Sequence, residues 1–128
     1  IELSQYSHKA ISADIVQNAE YLEHYDSFTG KVDGIVIACA GVVPVWQGRA
    51  AAWAYLSEDL SCEFIKVHNA VKQFLQRCQY RRVEASVELD HKEGHRWMAL
   101  LGFELEAPVM HGYHPNGNDA ALYARVKY

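Results

Sequence analysis

At 128 residues, half of them apolar and 22% charged, the chain can bury one core but not two, and its balance is that of a folded protein. Sixteen acidic residues against twelve basic ones leave a formal charge of −4, which excludes general electrostatic holding of nucleic acid, because phosphate neutralisation needs a basic face. Three cysteines outside any Cys-x-x-Cys spacing (Cys39, Cys62, Cys78) point to thiols of a reducing cytoplasm rather than a disulfide framework, and the longest apolar stretch, Gly34 to Trp46, is too short and too broken to span a bilayer.

Taken in chain order, Ile15, Ala19, Leu22 and Tyr21/Tyr25 recur at helical spacing, which predicts an amphipathic helix from Ser12 to Phe28 with Ser12 as its N-cap. Val32 to Val45 predicts one long bent strand or two with a tight connection, and the residues from Pro44 to Gly48 predict a turn. Arg49 to Leu56 reads as a strand with Trp53 and Tyr55 on one face and Ala52, Ala54 and Leu56 on the other. A helix follows to Gln76, capped by Ser61, with Phe64, Ile65, Val67, His68, Val71, Phe74 and Leu75 on its apolar stripe. Arg82 to Leu89 alternates Val83, Ala85, Val87 and Leu89 against Arg82, Glu84, Ser86 and Glu88, so it reads as a strand with one polar side. His91 to Leu101 returns to helical spacing and stops at Gly102. Glu104 to Tyr113 and Ala120 to Tyr128 flank Pro115-Asn116-Gly117-Asn118, a hairpin signal. Strands of mixed direction packed on helices make one α+β sheet.

The run Trp97-Met98-Ala99-Leu100-Leu101-Gly102-Phe103-Glu104, with a strand before it and a hairpin after it, resembles the ending of the GNAT acetyltransferases, where a helix closes on Leu-Gly-Phe before the last strands. The strand Ala50 to Leu56, the loop Ser57 to Leu60 and the helix from Ser61 lie where that superfamily places its acetyl-CoA-binding strand, phosphate loop and helix. Within it, Gly41-Val42-Val43-Pro44-Val45-Trp46 with Ala51-Ala52-Trp53-Ala54-Tyr55-Leu56-Ser57 looks most like small GNAT-like proteins of tailed bacteriophages. The resemblance implies a single GNAT-like domain over residues 1–128 with a mixed, mostly antiparallel sheet flanked by helices. It also implies acetyl-CoA as cofactor and transfer of an acyl group to an unknown amine without a covalent intermediate.

The sequence departs from the pattern twice. The phosphate loop lacks glycine and reads Ser57-Glu58-Asp59-Leu60-Ser61-Cys62-Glu63, whose acidic residues repel an anion. Met98 stands where many members carry the tyrosine that protonates the departing thiolate, which leaves Tyr113, Tyr123 or water as the acid. On this resemblance Trp53, Ala54, Tyr55 and Leu56 line the pantetheine arm, Ser61 and His91 sit at helix starts beside the cofactor, and Glu88 is the base.

Each of these residues also has a structural reading. Alternation alone makes Glu88 a solvent-facing strand residue; Glu58 and Asp59 form a charged turn more readily than a base pair, and Cys62 is more commonly a small buried residue than a reactive thiol. His91 takes the place of an asparagine that many members use to touch the cofactor, or is exposed beside Asp90 as the helix cap. His91 and His95 have a metal spacing but no third ligand, so no metal site is expected; His111 and His114 sit apart on the hairpin. Arg81-Arg82 is a candidate anchor for one small anion. Trp46, Trp53 and Trp97 belong in the core or, if Trp46 and Trp53 are exposed, mark a protein-binding patch. The rivals to an enzyme are a non-catalytic phage protein of the same fold, acting through protein contacts in morphogenesis or host modulation, and a small-ligand binding module. What separates them is whether strands Arg49 to Leu56 and Arg82 to Leu89 splay into an open V.

Overall fold

A computed structural model of the chain describes residues 3–4, 27–57 and 63–128. Among the described residues seven strands form one sheet: β1 (Leu3–Ser4), β2 (Ser27–Val32), β3 (Ile35–Trp46), β4 (Arg49–Leu56), β5 (Arg82–Glu88), β6 (Glu104–Met110) and β7 (Ala120–Val126), in the order β2-β3-β4-β1-β5-β7-β6. Two helices, α1 (Phe64–Arg77) and α2 (Lys92–Leu100), follow β4 and β5. The β2-β3, β3-β4, β5-β7 and β6-β7 pairs are antiparallel, while β1 and β5 run parallel to β4. This is the mixed, mostly antiparallel α+β sheet expected from the sequence. No helix among the described residues is long and apolar enough to cross a membrane.

The first hairpin differs from the expectation. Asp33 and Gly34 both adopt positive φ, 51° and 79°, and close a two-residue turn that pairs Val32 with Ile35. Asp-Gly is well suited to this geometry, whose twist matches that of the flanking strands. Ser27 and Phe28, assigned to the end of a helix, therefore belong to β2; the rest of that predicted helix lies outside the described residues. Pro44 and Val45 stay within β3, which carries an irregularity between Pro44 and Trp46 and turns only at Gln47-Gly48.

The core lies between one face of the sheet and both helices. That face is built from small residues: Ala38, Ala40 and Val42 of β3, Ala50, Ala52 and Ala54 of β4, and Val83, Ala85 and Val87 of β5 are all buried. Bulk comes from Val67, Val71 and Leu75 at four-residue steps on α1, and from Trp97, Met98, Leu101 and Phe103 in and after α2. Ile65, placed on the apolar stripe by its spacing, is 72% exposed, and Leu89 falls just past the end of β5 and is also exposed. The helices meet through Phe64 and Trp97, whose ring centroids are 5.7 Å apart, and the Trp97 indole N–H donates to His68 Nδ1 at 3.0 Å.

The Leu-Gly-Phe ending has a plain physical cause. Gly102 takes φ 87°, its N–H donates to the Ala99 carbonyl, and the Phe103 N–H reaches back to the Met98 carbonyl at 2.9 Å. This paired capping arrangement satisfies the last helix carbonyls and drops Phe103 into the core. At the other end of α2 the cap position is His91 rather than Asp90, with no side-chain cap bond.

Gly94 of α2 is a packing glycine. A Cβ there would lie 2.8 Å from Val87 Cγ1 and 2.5 Å from His91 Cδ2. A Gly→Ala change in a helix normally gains up to ~1 kcal/mol, but overpacking against a stiff β-branched neighbour costs ~1–3 kcal/mol. Gly94→Ala is expected to lower the melting temperature in thermal denaturation; an unchanged or raised value would show that α2 can lift off β5 freely.

Candidate active site

β4 and β5 pair directly over only three positions, Arg49 with Arg82, Ala50 with Val83 and Ala51 with Glu84. Beyond these the strands part, and the short strand β1 lies between them, with Leu3 opposite both Ala54 and Val87 and Ser4 opposite Tyr55. The V that the sequence left open as a question is therefore present, and the chain's own backbone occupies it. Its width at that point is that of one extra extended chain, so the distance between the two strands rises to about twice the usual ~4.8 Å spacing.

The closed end of the V is held by charge. Arg49 donates from Nε and Nη2 to the two carboxylate oxygens of Glu84 at 2.6 and 2.9 Å, Arg82 Nε donates to Glu84 at 2.7 Å, and the rest of the Arg82 guanidinium grips Glu106 of β6 at 2.5 and 3.0 Å. The Arg49 guanidinium also lies over the Trp46 ring, 4.4 Å from its centroid. Arg82, a candidate anion anchor in the sequence, is thus consumed by carboxylates, and Trp46 is exposed beneath Arg49 rather than buried in the core.

On the face opposite the helices a cavity of about 330 Å³ is walled by Trp53 and Tyr55 of β4, Glu84 and Ser86 of β5, and Tyr113 and His114 of the loop between β6 and β7. That loop folds over the sheet because its own polar groups close it. His114 N–H donates to the Asn118 carbonyl, Gly117 N–H to the His114 carbonyl, and Asn116 Oδ1 accepts from the Asn118 N–H. Asp119 accepts from the Gly112 N–H at 2.9 Å and faces His111, and both contacts hold its carboxyl below the usual range.

The loop brings a line of three groups together. Ser86 Oγ lies 3.1 Å from His114 Nε2, His114 Nδ1 lies 3.4 Å from Glu88 Oε1, and Asn116 Nδ2 donates to the same Glu88 oxygen at 3.0 Å. His114 is 7% exposed and is the one buried polar or charged residue among the described residues. Glu88 does not line the cavity; it reaches it through His114. Sequence reasoning singled out Glu88 but passed over Ser86 and His114. The available signals were the shared face of Ser86 and Glu88 and the turn residues that fold the loop back.

The other candidates disperse. Tyr113 is on the cavity rim and 54% exposed. Tyr123 is buried on the helix side of the sheet, which raises its phenol pKa. Its hydroxyl lies 2.7 Å from His95 Nδ1; since His95 Nε2 faces the carbonyls of Glu88 and Leu89 it carries the proton, and the phenol donates to Nδ1. With both ring nitrogens engaged, His95 forms no metal pair with His91, whose Nδ1 is 3.6 Å from Glu93. Trp53 and Tyr55 face the cavity, whereas Ala54 is buried in the core and Leu56 is half-buried. Ser61, Cys62, Glu58 and Asp59 lie outside the described residues.

No protein-family model and no curated protein matches the sequence. Solved structures match the fold. Ard1 from Thermoplasma volcanium superposes with a TM-score of 0.74 at 17% identity, over 91% of this chain and 80% of that one. The microcin C7 self-immunity acetyltransferase MccE, crystallised with acetyl-CoA and AMP, gives 0.72 at 17% identity over 95% and 77%. A GNAT-superfamily phosphinothricin acetyltransferase from Sinorhizobium meliloti, crystallised with acetyl-CoA, gives 0.70 at 18% identity over 90% and 70%. The fold is that of the GNAT acetyltransferases.

The charge clamp gives a pH-dependent stability. The hydrogen bond from Arg49, followed by that from Arg82, holds the Glu84 carboxyl below its usual range, against the opposing effect of burial. A lowered folded-state pKa stabilises above the unfolded value, and that contribution is lost as pH falls through the lowered value. Glu84→Gln should therefore melt several degrees below the wild type at neutral pH, and the gap should narrow as pH falls below the ordinary carboxylate value of 4.5. Melting curves at neutral and acid pH measure both arms; a gap independent of pH would remove charge as its source.

Proposed function

We propose that the chain is an acyl-CoA-dependent N-acyltransferase that passes a short acyl group, acetyl in the first instance, to a small or terminal amine. The observation that carries this reading is the parting of β4 from β5 after Ala51 and Glu84. Two parallel strands that stop pairing leave backbone N–H and C=O groups facing each other across a gap, and β1 demonstrates that the gap takes an extended chain of amides. The pantetheine arm of acyl-CoA is such a chain. The acetyl-CoA complexes of MccE and of the phosphinothricin acetyltransferase support the same cofactor here.

In this reading Trp53, Ala54, Tyr55 and Leu56 flank the arm and His91, at the start of α2, faces its phosphates; Ser61, the other candidate for that role, lies outside the described residues. The amine enters the cavity on the other face. Its nitrogen attacks the thioester carbon while a backbone N–H on the edge of β4 that parts from β5 polarises the carbonyl. The amine proton passes to His114, which Glu88 orients, the carbon–sulfur bond breaks, and the departing thiolate takes a proton from Tyr113 or water. Because Leu3 and Ser4 occupy the gap, the cofactor displaces them as it binds.

A second reading is a non-catalytic protein of the same fold, of the bacteriophage kind, acting through protein contacts in morphogenesis or host modulation. The occupation of the gap by β1 favours the non-catalytic part of this reading alone, since a filled V has no use for a cofactor.

Titration calorimetry with acetyl-CoA separates the two. Saturable micromolar binding, tightened by Leu3→Pro because proline removes an N–H needed for strand pairing, is the outcome expected of the enzyme. No binding up to millimolar concentration by either protein would leave the contact protein. Given binding and turnover, Glu88→Gln is expected to lower kcat at least tenfold, about 1.4 kcal/mol of barrier, with little change in the KM for acetyl-CoA. An unchanged kcat would take Glu88 out of the mechanism.

A further inference from the structure

The line Ser86, His114, Glu88 does more than a proton acceptor for an amine requires. A base needs an imidazole and a group to orient it; here a hydroxyl also stands at the imidazole's outer nitrogen, 3.1 Å away, in the wall of the cavity. Glu88 Oε1, 3.4 Å from Nδ1, favours the tautomer with the proton on Nδ1, which leaves Nε2 as the acceptor facing Ser86 Oγ. Hydroxyl, imidazole and carboxylate in this order form the arrangement that turns a serine into a nucleophile.

The surroundings supply what such a nucleophile needs. Ser86 and Trp53 lie on the same face, each two residues beyond the last direct pair of the parting strands, Glu84 with Ala51, and both line the cavity. Trp53 carries a buried indole N–H with no hydrogen-bond partner among the described residues. An unpaired buried donor is costly to keep, and a donor carried by a residue that lines the same cavity as Ser86 is a candidate partner for an oxyanion. A loop tie alone would account for Ser86 and His114 but leaves the indole N–H and the cavity unexplained.

We propose that Ser86 is a covalent nucleophile and that the protein hydrolyses short-chain activated esters and thioesters through an acyl-serine. Ser86 Oγ attacks the acyl carbon and its proton passes to His114 Nε2; the bond from carbon to the leaving oxygen or sulfur breaks, and the leaving group takes that proton. Water then attacks the acyl-serine, again giving its proton to His114. The carboxylic acid departs and the serine hydroxyl is restored. This activity uses the cavity and not the gap between β4 and β5, so it stands or falls separately from acyl-CoA binding.

The test therefore contains no CoA. Wild-type protein is incubated with a fluorophosphonate probe and the adduct is located by peptide mass spectrometry, while p-nitrophenyl acetate hydrolysis is followed in parallel. An adduct on Ser86 is expected, together with ester hydrolysis that falls about a hundredfold or more in Ser86→Ala and in His114→Gln. No adduct on the wild type, an adduct on another residue alone, or hydrolysis that persists in Ser86→Ala would overturn the proposal. Mapping on the wild-type protein decides the matter even if a variant fails to fold, and circular dichroism of the variants shows whether their losses are chemical.

Discussion

Three residues of parallel pairing tie β4 to β5, and the functional geometry follows from where that pairing ends. Parallel neighbours need a crossover, which α1 supplies, and a crossover that packs closely needs a smooth sheet beneath it. The alanines of β3, β4 and β5 provide that surface, so bulk enters the core from the helices instead. Gly94 carries the same logic to α2, whose backbone approaches Val87 closely. With the helix side filled, the face opposite is where the parted strands can be lined by Trp53, Tyr55, Glu84 and Ser86.

The clamp of Arg49, Glu84, Arg82 and Glu106 sets where the parting begins. It joins β4, β5 and β6 at one end of the sheet, and its charges are matched, so the carboxylates stay ionised and the guanidinium groups stay fixed. Strands fastened at one end can separate only at the other. The anion affinity that Arg82 offers in isolation is the cost of this arrangement, and any anionic part of a ligand must find its partners elsewhere.

The parts of the fold legible in the sequence are those with a strong local period or a cap. The alternation of Arg82 to Glu88 and the four-residue steps of α1 survive folding almost unchanged, and Leu101-Gly102-Phe103 ends α2 through a backbone geometry that glycine favours. Asp33-Gly34 is as strong a turn signal, but the run of Val and Ile from Val32 to Val45 is compatible both with one bent strand and with two joined tightly, and periodicity alone does not place the turn at its start. Ile65 shows the limit of periodicity, since spacing says which way a side chain points but not whether anything lies there. The candidate site was legible only in part. Glu88 stands out by alternation, whereas His114 joins it from 26 positions further along the chain through a loop held by Asn116, Gly117 and Asn118, and no pattern along the chain encodes that distance. Tyr123 and Tyr113, equivalent as phenols in the sequence, are separated by the sheet itself.

Both margins of the sheet are irregular. β2 shifts register between Gly30 and Lys31, and β6 shifts twice on either side of Ala107, with Pro108 in place of a residue that would offer an N–H. A straight margin is a template onto which a strand from a second molecule can add, and kinks, charge and proline remove the template. Leu105 and Val109 can thus remain exposed on β6 without seeding a growing stack of chains, which matters most in a crowded solution of newly made protein.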